Sequence, residues 1–122
     1  MGTILIIDDN SVNRFLLNTM LKETYQILEA SSGEDGIRIA KSRKVDLILL
    51  DILMPNMDGY ETAGYLKDDP RTHKIPIIFV TALADEDTRS KAKLCGAADV
   101  ITKPVSSSLL KARIQSYFSK GS

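Results

Sequence analysis

The chain has one cysteine, equal numbers of acidic and basic residues and no long apolar run, and each of these excludes a class of protein. Cys95 alone cannot form a disulfide within the chain, which fits a reducing compartment. The 16 basic residues are balanced by 16 acidic ones, so the cationic excess that nonspecific nucleic-acid binding needs is missing. Apolar runs reach about six residues, against the roughly 18 of a membrane helix, and the N-terminus lacks a signal-peptide pattern. We therefore predict a cytoplasmic protein that binds neither membranes nor nucleic acid directly.

The 122 residues suffice for one domain with a buried core, and short apolar runs alternate with longer amphipathic segments. The apolar runs predict five strands, at residues 3–7, 25–30, 46–50, 75–80 and 98–102. Capping residues and helical spacing predict a helix after each strand, beginning near residues 10, 33, 58, 85 and 106. Strands that are apolar throughout are typical of a parallel sheet buried on both faces. The pattern therefore predicts a doubly wound α/β domain with helices on both faces of the sheet.

Three predictions concern packing. Apolar residues recur at helical spacing in the first predicted helix, and we expect them to face the core: Val12, Phe15, Leu16, Met20 and Leu21. Cys95 is expected to be a small buried apolar residue. His73 is expected to be a solvated loop residue without a role as a phosphodonor.

Polar side chains end four of the apolar runs. Asp8 and Asp9 follow the first run and Asp51 follows the third, whereas Thr81 and Lys103 end the fourth and fifth. The carboxyl ends of parallel strands lie on one edge of a sheet, where ligands of such sheets bind. We therefore expect these five side chains, scattered over almost the whole chain, to converge on one site.

The chemistry of this set points to phosphate. Three neighbouring carboxylates repel one another when ionised, and a hard divalent cation would relieve that conflict. Mg²⁺ fits best, because it prefers one or two carboxylates together with phosphate oxygens. An ammonium group and a hydroxyl beside it would complete a receptacle for a phosphoryl group, and a carboxylate can itself be the nucleophile.

The motifs resemble those of one family. The acidic pair Asp8-Asp9, the segment DILMPNMDG at residues 51–59, the pair Thr81-Ala82 and the pair Lys103-Pro104 occur in order, each at a predicted strand end. In these motifs and their order, the chain resembles the receiver domain of two-component response regulators over essentially its whole length. The resemblance implies a (βα)5 flavodoxin-like fold, with a five-stranded parallel sheet of order 2-1-3-4-5. We expect the domain to span residues 1–120 and residues 121–122 to form a disordered tail.

The resemblance also implies a metal site. Asp9 and Asp51 would bind Mg²⁺ directly, together with the backbone carbonyl of Leu53, and Asp8 would act mainly through water. Mn²⁺ is expected to substitute for Mg²⁺.

For the phosphoryl group, the resemblance implies that Asp51 accepts it from a phosphohistidine on a sensor histidine kinase or a phosphotransfer protein. Thr81 and Lys103 would hold the phosphoryl oxygens, with the small Ala82 after the threonine. The peptide bond between Lys103 and Pro104 is expected to be cis.

Two positions depart from the family pattern. Many receivers carry Tyr or Phe three residues before the lysine, and here Val100 occupies that switch position. A valine cannot make the inward ring rotation of the usual mechanism. Either a weaker β-branched switch operates, or output does not run through this position on the face built from helix 4, strand 5 and helix 5. Leu53 and Leu83 lie two residues after Asp51 and Thr81 and cannot orient a water by a hydrogen bond. We therefore predict a long-lived phosphorylated state.

We predict a phosphorylation-dependent signalling switch that is not a metabolic enzyme. The alternative is a degenerate receiver that binds proteins without phosphorylation. A phosphohydrolase of the haloacid dehalogenase type would need an aspartate where Leu53 stands, and a nucleotide-binding protein would need a glycine-rich loop after the first strand. The sequence leaves open the kinase, the output, a phosphorylation-dependent homodimer, and whether the chain acts alone or is part of a larger regulator.

Overall fold

The structure is a computed structural model that describes residues 2–119. Strands and helices alternate along the chain, as the sequence pattern predicts. The elements are β1 Thr3–Ile7, α1 Ser11–Leu21, β2 Gln26–Ala30, α2 Gly33–Ser42, β3 Leu47–Leu50, α3 Gly59–Asp68, β4 Ile77–Thr81, α4 Glu86–Leu94, β5 Asp99–Thr102 and α5 Ser107–Ser119. The predicted tail at residues 121–122 lies outside the described residues. Within the described part of the chain, no helix is both long and apolar enough to span a membrane.

The five strands form one parallel sheet in the order β2-β1-β3-β4-β5, which confirms the predicted topology. The largest shift in a strand boundary is at β4, which begins at Ile77 rather than at residue 75. Pro76 has no amide hydrogen to donate to the ladder, although its carbonyl accepts a bond of 3.0 Å from the amide of Ile48. The strand also extends to Thr81, so this threonine is its last residue.

Side chains alternate between the two faces of the sheet and form two separate apolar layers. In β1, Leu5 and Ile7 point to the layer that α2, α3 and α4 cover. Ile4 and Ile6 point to the layer under α1 and α5. The central strands β1, β3 and β4 are therefore buried on both faces, which explains their continuous apolar sequence.

The predicted buried face of α1 is wrong for three of its five residues. Val12, Phe15 and Leu16 are 62%, 67% and 49% exposed, and the residues of α1 that reach the core are Leu17 and Leu21. The apolar residues of this helix cover more than one face. The face that packs on the sheet carries Leu17 and Leu21, which lie four residues apart. An apolar surface consequently remains on the outside of α1.

Local capping explains where the helices that flank the site begin. The side chain of Asn10 accepts hydrogen bonds from the amides of Val12 and Asn13, at 2.9 and 3.0 Å, and so caps α1. Asp58 and Glu61 form a capping box at the start of α3, where capping residues predict a helix. These caps fix the loops after β1 and β3, which carry the acidic residues.

Candidate functional site

Four strands bring the predicted site residues to one edge of the sheet. Asp8 follows the last residue of β1, and Asp51 follows Leu50, which pairs with Ile7 in the sheet. On the other side of β3, Thr81 ends β4 and pairs with Thr102, directly before Lys103. The parallel register therefore aligns the carboxyl ends of these strands, and the side chains that follow them share that edge.

Three carboxylates cluster there. Each of Asp8, Asp9 and Asp51 offers an oxygen within 4.8 Å of the others. Asp8 and Asp51 are buried, at 2% and 6% exposure, whereas Asp9 is exposed. Backbone amides orient the two buried groups, because Asn10 donates to Oδ1 of Asp8 at 2.9 Å and Ile52 donates to Oδ1 of Asp51 at 2.8 Å.

Lys103 supplies the positive charge of the cluster. Its Nζ lies 3.2 Å from Oδ2 of Asp8 and 3.6 Å from Oδ2 of Asp51, so one ammonium group is shared by two carboxylates. The lysine side chain is only 21% exposed. The peptide bond between Lys103 and Pro104 is cis, as the resemblance implied.

The site is still short of positive charge. Burial, followed by the neighbouring charge of Asp8, raises the pKa of Asp51, and Lys103 and the amides of Ile52 and Leu53 only partly oppose these effects. Three carboxylates against one ammonium leave a net negative cluster of oxygen donors. This donor set fits a hard divalent cation such as Mg²⁺.

Thr81 is fully buried at the end of β4. Its Oγ1 accepts a hydrogen bond of 3.2 Å from the amide of Leu83, which leaves the hydroxyl hydrogen able to donate elsewhere. Ala82, the next residue, is exposed at the same edge. The end of β4 therefore places a hydroxyl donor on a rigid strand, and the small side chain of Ala82 follows it.

Val100 lies in an aromatic environment although it is not aromatic. It pairs in the sheet with Phe79, and the ring of Tyr60 packs edge-on against Phe79 at 5.6 Å between centroids.

Cys95 packs near the same layer and is partly rather than fully buried, because it caps the C-terminus of α4 at the surface. His73 is exposed, as predicted.

Gly59, the last residue of the segment at 51–59, packs tightly against the site. A Cβ atom there would press on the carbonyl oxygen of Asp51 and lie 2.7 Å from the Cα atom of Ile52. The amide of Gly59 also donates to the carbonyl of Ile52 at 2.8 Å. The glycine in the acidic motif therefore lets the start of α3 approach the backbone of Asp51 and Ile52, the two residues that follow β3.

Comparison with known proteins identifies the family. Residues 4–115 match the family model of the response regulator receiver domain. The chain is 40% identical over 106 residues to Protein PilH of Pseudomonas aeruginosa, covering 86% of this chain and 88% of that protein. It is also 40% identical over 114 residues to the response regulator PleD of Caulobacter vibrioides, covering 93% of this chain and 25% of PleD.

Solved structures agree. The receiver domain of a histidine kinase from Syntrophus aciditrophicus superposes with a TM-score of 0.90 at 35% identity, covering 98% of this chain and 92% of that one. The receiver domain of a sensor histidine kinase from Pseudomonas aeruginosa gives a TM-score of 0.88 at 28% identity, covering 96% and 98%. It has a magnesium ion coordinated in its active-site cleft.

The fold and the acidic edge thus define a receiver domain, the signalling switch of two-component systems. The chain belongs to the response regulator receiver domain family. It spans 88% of the length of PilH but only 26% of a related probable cyclic di-GMP phosphodiesterase of Vibrio cholerae, so receivers like this one occur both nearly alone and within longer proteins.

Proposed function

We propose that this chain is a phosphorylation-dependent switch in which Asp51 accepts a phosphoryl group from a phosphohistidine. The observation that carries the proposal is the shared ammonium of Lys103, 3.2 Å from Asp8 and 3.6 Å from Asp51. A buried carboxylate with a raised pKa, beside a fixed cation and further acidic oxygens, is suited to positioning and charge neutralisation. Phosphoryl transfer depends mainly on these two effects.

For the metal, we propose that Asp9 and Asp51 bind Mg²⁺ through their carboxylates and Leu53 through its backbone carbonyl. Asp8 acts through water while its Oδ2 holds Lys103. When bound, the ion neutralises charge on the phosphoryl oxygens. Mn²⁺ is expected to substitute, since it accepts the same oxygen ligands.

In the transfer step, Oδ2 of Asp51 attacks phosphorus, because Oδ1 is held by the amide of Ile52. The new P–O bond forms as the P–N bond to the donor histidine breaks, and the imidazole leaves with the electron pair of that bond. Lys103 then neutralises the phosphoryl oxygens, and Thr81 donates its hydroxyl hydrogen to one of them. The added charge biases an existing equilibrium between two conformations.

The surface beside the site is apolar, which suits the binding of a helical phosphodonor. Val12, Phe15 and Leu16 form an exposed apolar patch on α1. A groove of about 450 Å³ adjoins it and runs along Leu16 and Met20 to Lys103 and the two residues after it. We propose that a histidine kinase or phosphotransfer protein places an apolar helix face on this patch, which would present its phosphohistidine to Asp51. The output partner, a phosphorylation-dependent homodimer and a cytoplasmic location stay predictions.

Incubation with acetyl phosphate and Mg²⁺ tests the proposed phosphorylation. Intact-mass measurement is expected to show a labile phosphoryl adduct on the parent and none on Asp51→Asn, since the amide is not a nucleophile. Asp46→Asn is the matched control, because Asp46 lies at the opposite end of β3, where it accepts from the amide of Thr3. No adduct on the folded parent would favour the alternative, a receiver that binds partners without phosphorylation. Rapid turnover of acetyl phosphate would favour a phosphohydrolase.

The lifetime of the adduct should depend on Leu53. This side chain is 56% exposed beside the acceptor and cannot hold a water by a hydrogen bond. We expect Leu53→Asn to lose phosphate several-fold faster than the parent, because an amide can orient the attacking water. Time courses of phosphate release measure this, with Leu94→Asn, an exposed leucine of α4, as the control. An unchanged or slower rate in Leu53→Asn would contradict the prediction.

A further inference from the structure

A guanidinium group lies on the loop that carries the acidic pair. Nη1 of Arg14, at the end of the first turn of α1, donates a hydrogen bond of 2.6 Å to the backbone carbonyl of Asp8. Nε of the same residue lies 3.1 Å from Oε1 of Glu29 in β2. The arginine side chain is only 18% exposed, so it is held in place on both sides.

Glu29 is itself fixed. Its second oxygen accepts a bond of 2.8 Å from Nδ2 of Asn18, one helical turn after Arg14. In the sheet, Glu29 pairs with Ile6 of β1, and the next residue, Ala30, accepts from the amide of Asp8 at 3.1 Å. The chain leaving β1 is thus bound through its amide by β2 and through its carbonyl by α1.

The carbonyl of Asp8 belongs to the peptide group that joins Asp8 to Asp9. Asp8 is buried and has side-chain bonds to Asn10 and Lys103. Asp9 is exposed, and no hydrogen bond or ion pair between described residues involves its carboxylate. With no side-chain partner to hold it, the Asp9 side chain depends for its position on the backbone, and the planar peptide group between Asp8 and Asp9 contributes to the direction in which that side chain leaves the chain.

We propose that Arg14 is a positioning residue for the metal site, which fixes the peptide plane between Asp8 and Asp9 and so aims the carboxylate of Asp9. This rests on the proposed role of Asp9 as a Mg²⁺ ligand. Groups that orient metal ligands from behind commonly change metal affinity 10- to 100-fold when they are removed.

The charge of Arg14 makes the inference testable, because loss of its charge and loss of its positioning role should change Mg²⁺ affinity in opposite directions. Loss of a cation near the site should by itself strengthen Mg²⁺ binding. Loss of the fixed peptide plane should weaken binding. Glu29 already neutralises Arg14 in the parent, and salt screens charge effects but not positioning.

Mg²⁺ affinity, measured by calorimetry at low and high NaCl, separates the two effects. We expect Arg14→Met to bind Mg²⁺ about tenfold more weakly than the parent, with a larger ratio at high salt. Arg14→Lys should recover part of the loss, since an ammonium can still donate to the carbonyl of Asp8. Glu29→Gln keeps an acceptor for Nε and should weaken binding only at low salt. Arg38→Met removes an exposed cation of α2 that pairs with Asp35, and should change nothing.

A second measurement needs no metal. The NMR order parameter of the Asp9 amide should fall from about 0.85 towards 0.6 in metal-free Arg14→Met and stay near the parent value in Arg14→Lys. If Arg14→Met is too unstable for either measurement, Arg14→Lys and Glu29→Gln remain testable by calorimetry, and parent-like Mg²⁺ affinity in both at low salt would then overturn the inference. If Arg14→Met bound Mg²⁺ as tightly as the parent and its Asp9 amide were as ordered as in the parent, the inference would be overturned. The proposed function would stay intact. A parent that binds no Mg²⁺ would overturn both.

Discussion

Gly59→Ala is expected to lower the free energy of unfolding by about 3 kcal/mol, the upper end of the usual cost of overpacking. The added methyl group would press on the carbonyl oxygen of Asp51 and lie 2.7 Å from the Cα atom of Ile52. Both neighbours are backbone atoms at the end of a buried strand, so neither can move away as a flexible side chain would. Urea denaturation of the metal-free protein measures the loss. Phosphorylation by acetyl phosphate should fall as well, because the same displacement moves Asp51.

Gly64→Ala is the matched control, since Gly64 lies in the same helix and a Cβ atom there would have no neighbour within 4 Å. Alanine is the better helix former, so this change should stabilise the protein by about 0.5–1 kcal/mol. Equal effects of the two substitutions would show that Gly59 is needed for nothing beyond helix propensity, and would contradict the close approach described here.

Lys103→Met is expected to have three effects, of which two are losses and one is a gain. The metal-free protein should lose about 3 kcal/mol of stability at neutral pH, because two buried carboxylates keep their charge without a shared cation. Mg²⁺ affinity should rise several-fold, since a competing positive charge is gone. The rate of phosphorylation should nevertheless fall about 100-fold, because the group proposed to neutralise the phosphoryl oxygens is missing. Denaturation, calorimetry and adduct formation measure the three effects separately.

The loss of stability in Lys103→Met should depend on pH. Burial and the charge of Asp8 raise the pKa of Asp51, and Lys103 opposes them, so the pKa rises further in the variant. A carboxyl group whose pKa is raised by folding destabilises the protein above that pKa, and the cost disappears as pH falls through it. The deficit should therefore be largest near pH 7 and shrink in acid.

Lys67→Met provides the control for this lysine. Its Nζ donates to the carbonyls of His73 and Ile75, both at 3.1 Å, away from the acidic edge. This substitution should also destabilise the protein, but Mg²⁺ affinity and phosphorylation should stay at the parent level. If both lysine variants changed Mg²⁺ affinity alike, the charge interpretation of Lys103 would be wrong.

The topology and the residues gathered at the sheet edge could be predicted because they depend on strong local signals. Runs such as Leu47–Leu50 are apolar throughout, which marks strands buried on both faces, and a parallel sheet places the residues after such strands together. The capping box of Asp58 and Glu61 and the Asn10 cap are likewise short-range patterns.

The features that escaped sequence analysis depend on long-range packing. The apolar residues of α1 satisfy helical spacing on more than one face, and only the docked helix shows that Leu17 is buried while Phe15 is exposed. Arg14 looks like an ordinary surface charge in the sequence, and only the packing of α1 beside β2 shows that it pairs with Glu29. The close packing of Gly59 cannot be read from the sequence, because the pattern contains no information about how closely α3 approaches the end of β3.

The position of a bound metal tests most directly whether the carboxylates of Asp9 and Asp51 act as one site. Crystals soaked in Mn²⁺ would locate the ion by anomalous scattering. We predict one strong peak between the carboxylates of Asp9 and Asp51 and the backbone carbonyl of Leu53, which Asp51→Asn weakens and excess Mg²⁺ displaces. A peak at another acidic group, or no peak at this edge at saturating Mn²⁺, would contradict the proposed metal site and the phosphorylation that depends on it.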